Sequence, residues 1–114
     1  MQELSDKSLL KQQSFINGQW CASHSVFNVL NPANNQVVAR VSDATVSDAK
    51  RAVEAAKQAL PEWSAMSANV RANLLRKWFD LIMENQDDLG AILTLEQGKP
   101  LAEAKGEVAY GCSW

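Results

Sequence analysis

The sequence predicts an N-terminal β-hairpin and further extended strands followed by three to four α-helices. Three observations predict this order. Asn17-Gly18 is flanked by Phe15-Ile16 and Gln19-Trp20. From Val46 onward the apolar residues recur at the 3.6-residue spacing of amphipathic helices. Residues 80–110 then read as helix, break, helix, with Gly98-Lys99-Pro100 at the break.

Residues 14–21 form a tight hairpin in this reading, because Asn and Gly both tolerate the positive φ that a two-residue turn requires. A second extended pair, residues 26–30 and 36–41, surrounds Asn31-Pro32-Ala33-Asn34-Asn35. Pro32 presets φ at the second turn position, and the asparagines accept left-handed geometry. Thr45 with Asp48 is a capping-box pattern, weakened by Asp where Glu or Gln serves better. The helix that follows carries Val46, Ala49, Val53, Ala56 and Leu60 on one face, and its small alanines admit a close neighbour. Pro61 is expected to end this helix, with Trp63 folding back over the end. Ser67 is the next candidate cap, for a helix whose apolar face is Val70, Leu74, Trp78, Leu81 and Ile82. Residues 85–88 interrupt, and Asp87 and Asp88 suit the first turn of a third helix spaced by Leu89, Ile92 and Leu93. Gly98 is its stop, and Pro100 the first residue of a fourth helix with Leu101, Ala104, Lys105 and Val108 on one face.

Composition narrows the function classes. A length of 114 residues suits one small domain, and 46% apolar content is ordinary for a globular protein. A net charge of −2 gives no reason to expect nucleic acid or an anionic membrane as partner. Residues 1–13 read as an N-terminal arm. They are too charged for a signal-peptide core and not Arg-rich like a transit peptide. No apolar run approaches the roughly 20 residues of a membrane-spanning helix. The cytoplasm is therefore the default location, with an organelle open for a eukaryotic source. The two cysteines form no CxxC, and one histidine leaves no zinc set.

The block Leu93-Thr94-Leu95-Glu96-Gln97-Gly98-Lys99-Pro100-Leu101-Ala102-Glu103-Ala104 resembles the aldehyde dehydrogenase superfamily, nearest its succinate-semialdehyde branch. The likeness extends back through Phe15-Ile16-Asn17-Gly18-Gln19-Trp20, Asn31-Pro32-Ala33-Asn34, residues 55–63 and Arg76-Lys77-Trp78-Phe79, in order and without gaps. It implies an α/β parent with a Rossmann-type cofactor domain, of which residues 14–114 are the incomplete N-terminal part. Ala109-Tyr110-Gly111-Cys112-Ser113-Trp114 falls inside an apolar-periodic helix, so the chain is expected to be a piece of a longer enzyme. The parent is then an NAD- or NADP-dependent homo-oligomer oxidising a small aldehyde, succinate semialdehyde foremost. In that family a cysteine attacks the aldehyde, hydride leaves for the nicotinamide, and a glutamate-activated water releases the acid. None of those motifs lies in these residues, so no residue is carried over as catalytic or cofactor-binding. The chain alone is expected to bind no cofactor and to be inert.

Several side chains invite chemistry. Cys21 follows Gly18-Gln19-Trp20 and mimics the family's nucleophile motif one residue short, but no base or helix terminus is evident beside it. A structural or surface thiol is the expectation there, and a packed helix-face thiol at Cys112. Glu96 is the carboxylate of interest. The resemblance implies a structural monovalent-cation site built from Glu96 and the backbone oxygens of Val29 and Leu30, against the alternative of a solvated helix-end glutamate. Gly98-Lys99-Pro100 lacks the glycine pattern of a phosphate loop, and Lys99 is expected to be solvated. Glu103 and Glu107 should meet Lys99 or Lys105. Trp20, Trp63, Trp78 and Trp114 are expected to pack in a core or an interface. The competing reading is a stand-alone paralogue that docks on other proteins through uncovered apolar faces.

Overall fold

In the computed structural model, which describes residues 4–113, the turn chemistry builds two separate antiparallel hairpins. β1 (Ser14–Ile16) pairs with β2 (Gln19–Cys21), and Asn17 and Gly18 take φ of 51° and 77°. Phe15 and Trp20 face each other across this pair at 5.0 Å, and Lys11 Nζ lies 5.1 Å from the Trp20 ring. β3 (Ser25–Leu30) pairs with β4 (Val37–Asp43). The turn between them uses Asn35 at φ 57°, with the Asn31 and Asn34 side chains accepting from Ala33 N–H and Gln36 N–H. The β3–β4 ladder slips at Val29/Leu30, where Val29 faces Ala39 and Leu30 faces Val37.

Four helices follow. α1 (Val46–Ala65) opens on a completed capping box: Thr45 N–H donates to the Asp48 carboxylate at 2.9 Å and Asp48 N–H to Thr45 Oγ1 at 3.2 Å. The Thr45 amide, the Arg51 guanidinium and the Thr45 hydroxyl hold the Asp48 carboxyl down to about 2. Pro61 lies inside α1, and Trp63 belongs to its last turn rather than folding back over it. The proline removes only the donor that Lys57 O would use, and the helix end beyond it is held by other groups. Ser64 Oγ donates to Pro61 O, and Arg71 from the next helix donates to Ser64 O and Met66 O. α2 (Ala68–Glu84) starts on Ser67, whose hydroxyl accepts from Val70 N–H. The break before α3 (Gln86–Gln97) narrows from residues 85–88 to Asn85 alone, because Asn85 Nδ2 closes α2 on Leu81 O while its carbonyl receives Leu89 N–H. Gly98 closes α3 at φ 78°, ψ 9°, and Pro100 stands just before α4 (Leu101–Cys112) as its N-cap, one position earlier than expected.

Helix periodicity is honoured unevenly. On α4 the expected face is covered, with Ala104 at 0% exposure and Leu101, Lys105 and Val108 half-buried. On α1 it is not. Val46, Val53 and Leu60 are exposed, and the half-buried residues are Asp48, Ala52 and Ala55, the last two lining hollows beneath the first hairpin. On α2, Val70, Leu74, Trp78 and Leu81 are all exposed. Trp20, Trp63 and Trp78 are 46%, 37% and 63% exposed, so none is a core residue, and Trp114 lies outside the described residues. Among the described residues the buried hydrophobic set is Ala39, Ala91 and Ala104. The radius of gyration, 16.5 Å, exceeds the about 13 Å of a compact domain this long.

Candidate functional site

Small residues bring α3 and α4 into close contact. Gly90 lies against Lys105, and a Cβ there would stand 2.8 Å from Lys105 Cγ. Ala91 and Ala104 are both buried. Gln86 Nε2 donates to Lys105 O at 2.9 Å, and Lys105 Nζ pairs with Asp87 at 2.8 Å. Glu107 is paired with Lys99, whose side chain is largely covered rather than solvated, because the turn at Gly98 folds it back along α4. Glu103 is exposed.

The hairpin β3–β4 meets this helical pair at the end of α3. Pro32, in the hairpin turn, packs on Gly98, where a Cβ would stand 2.7 Å from Pro32 Cγ. Leu95 shares a small cavity of about 160 Å³ with Leu10, Asn31, Gln36, Val37 and Val38. The candidate cation ligands fall on the two sides of this seam. Val29 and Leu30 are the last two residues of β3, and Glu96 is an exposed carboxylate in the last turn of α3, where helix carbonyls lack partners. The ladder slip at Val29/Leu30 disturbs strand pairing at the same two residues, as a β-bulge does. Backbone oxygens and one carboxylate make an all-oxygen set, which suits a hard cation and not a thiolate- or imidazole-seeking metal. Among the described residues no three His, Cys, Asp or Glu side chains gather as a metal site. Sequence reasoning missed Thr94, whose hydroxyl is buried without a hydrogen-bond partner. Two helical positions from Glu96, it points to the other side of α3 and does not join the set.

Neither cysteine has the surroundings of a nucleophile. Cys21 is half-buried, its thiol contacts Gln19 O at 3.7 Å, and the nearby Arg51 is engaged by Asp48 at 2.6 Å. Glu54 and Gln58 complete the hollow, with no imidazole in it. Cys112 lines a larger cavity, about 530 Å³, with Leu75, Trp78, Phe79 and Ile82 of α2. Cys112 is thus half-buried on a helix face beside an open hollow.

Two strand–turn–strand hairpins followed by four helices, the last two joined at a Gly stop, are the class of structure these residues build. The model of the aldehyde dehydrogenase family matches residues 20–114, and the chain belongs to that family. It is 47% identical to the glutarate-semialdehyde dehydrogenase of Pseudomonas aeruginosa over 98% of its own length and 24% of the relative's. It is 46% identical to the NADP(+) succinate-semialdehyde dehydrogenase of Escherichia coli, again over 98% and 24%. The crystal structure of an aldehyde dehydrogenase from Brucella melitensis biovar abortus superposes with a TM-score of 0.95 at 48% identity, covering 99% of this chain and 24% of that one. The chain thus spans about a quarter of the length of the curated relatives it matches, and its fold is that of the N-terminal part of aldehyde dehydrogenase chains. Among the described residues no helix is long and apolar enough to cross a membrane.

Proposed function

We propose that these residues are the N-terminal quarter of a cytoplasmic, homo-oligomeric dehydrogenase that oxidises succinate semialdehyde to succinate with NADP or NAD. The observation that carries this reading is the 46–47% identity, over 98% of the chain, to two dehydrogenases named for dicarboxylate semialdehydes. The substrate class is then a short aldehyde bearing a carboxylate at its far end, with glutarate semialdehyde the nearest competitor. In this reading residues 1–13 are an arm, and residues 14–114 belong to the cofactor-binding domain without supplying a catalytic or cofactor-binding side chain. The exposed faces of α1 and α2 support it, because amphipathic helices this apolar are built to be covered. The purified 114-residue chain should show no reduction of NADP+ or NAD+ with succinate or glutarate semialdehyde. Turnover abolished by Cys21→Ser would overturn that.

Glu96, with the Val29 and Leu30 carbonyls, contributes to a monovalent-cation site in the same reading. Replacing potassium or sodium by a bulky organic cation at constant ionic strength should lower the melting temperature of the chain. Glu96→Gln should remove most of that dependence. An equal cation response in the variant would exclude Glu96 from the site.

A further inference from the structure

We propose that the N-terminal arm is a strap that fastens the β3–β4 hairpin to the α3–α4 pair, with Asp88 and Gln12 as its two anchors. At one end the Asp88 carboxylate receives two backbone amides: Ser5 N–H reaches Oδ1 at 3.0 Å and Asp6 N–H reaches Oδ2 at 2.8 Å. Both bonds are charge-assisted, and their acceptor is fixed in the first turn of α3. At the other end Gln12 occupies the outer edge of β4. Its main-chain oxygen accepts from Ser42 N–H and its side-chain Oε1 from Arg40 N–H, each at 2.9 Å. One residue thereby satisfies two successive outward amides that would otherwise leave a bare strand edge.

The stretch between the anchors is not slack. Asp6 caps a single 3-10 turn, Lys7–Leu9, by accepting from Ser8 N–H at 2.8 Å. Leu9 and Leu10 are half-buried, and Leu10 enters the cavity between Val37 and Val38 of the hairpin and Leu95 of α3. The strap therefore crosses the seam at which Pro32 meets Gly98 and β3 meets α3. Its two ends lie on different elements, and the ordered turn between them is the shared element through which the arm couples them. Thermodynamic reciprocity then requires that freeing either end loosens the other by the same factor.

Amide hydrogen exchange, resolved residue by residue on the full 114-residue chain, tests this. Asp88→Asn should speed exchange at Arg40 and Ser42, far from the substitution, by roughly fivefold or more, the lower end of the usual coupling between two linked sites. Gln12→Ala should speed exchange at Ser5 and Asp6 by a comparable factor. Val41, whose amide faces β3, should stay as protected as in the parent chain. If each variant speeds only the amides whose acceptor it altered, the arm is two independent contacts and the proposal fails. Equal acceleration at Val41 would also overturn it, since the hairpin itself would then have opened.

Discussion

Gly98→Val is expected to be the most damaging single substitution at the seam, costing roughly 3–4 kcal/mol. Two independent terms combine there. The residue stands at φ 78°, where a Cβ costs about 1–2 kcal/mol and a branched side chain more. The same Cβ would also lie 2.7 Å from Pro32 Cγ, a contact no relaxed structure holds, and overpacking of that kind costs about 1–3 kcal/mol. Pro32 belongs to the turn that Ala33 N–H closes on Asn31 Oδ1, and its ring moves only with that backbone. Urea unfolding followed by circular dichroism measures the sum as a lower midpoint at unchanged slope. Pairing Gly98→Ala with Pro32→Ala separates the terms. The double variant should recover the steric part and keep the backbone part. An undiminished loss in the double variant would show that Pro32 does not constrain this corner.

What the sequence made legible is what local chemistry decides. Asn17-Gly18 needs no distant partner to become a turn, and Gly98 needs none to stop a helix. The Thr45/Asp48 box closes although Asp is the shorter acid, because Arg51 adds a second hold on the same carboxylate. The readings that failed depend on what lies across space. Periodicity identifies Val46, Val53 and Leu60 as a face that wants cover. It cannot say that the first hairpin would instead settle on Ala52 and Ala55. Pro61 does not end its helix: α1 runs on to Ala65, where Arg71, ten residues beyond the proline, donates to the Ser64 and Met66 carbonyls. Asp88 reads in sequence as a helix-dipole residue, and its use as an acceptor for Ser5 and Asp6 joins positions too far apart for any spacing rule to connect. Glu96 was legible only through resemblance, since a lone carboxylate at a helix end has no pattern of its own.

The contact between α3 and α4 makes the second large prediction. Gly90→Val should cost about 2–4 kcal/mol, because the new side chain meets backbone as well as side chain. Lys105 Cγ, 2.8 Å from the added Cβ, could swing aside, but Lys105 N at 3.2 Å moves only with the helix. Pushing α4 away opens the interface lined by Ala91 and Ala104. It also strains the Gln86–Lys105 hydrogen bond and the Lys105–Asp87 ion pair, so three kinds of contact loosen together. Among the described residues the buried hydrophobics are Ala39, Ala91 and Ala104, and two of them line this interface, so its loss is a large share of the total. Gly106 and Gly111, on the same helix α4, provide the contrast. A Cβ at either meets nothing within 4 Å, so alanine there should stabilise by roughly 0.5–1 kcal/mol through helix propensity. Urea midpoints that fall for Gly90→Val and rise for Gly106→Ala would place the constraint in the interface. A fall of similar size at both positions would mean that α4 tolerates no added side chain and that the Gly90–Lys105 approach has no special weight.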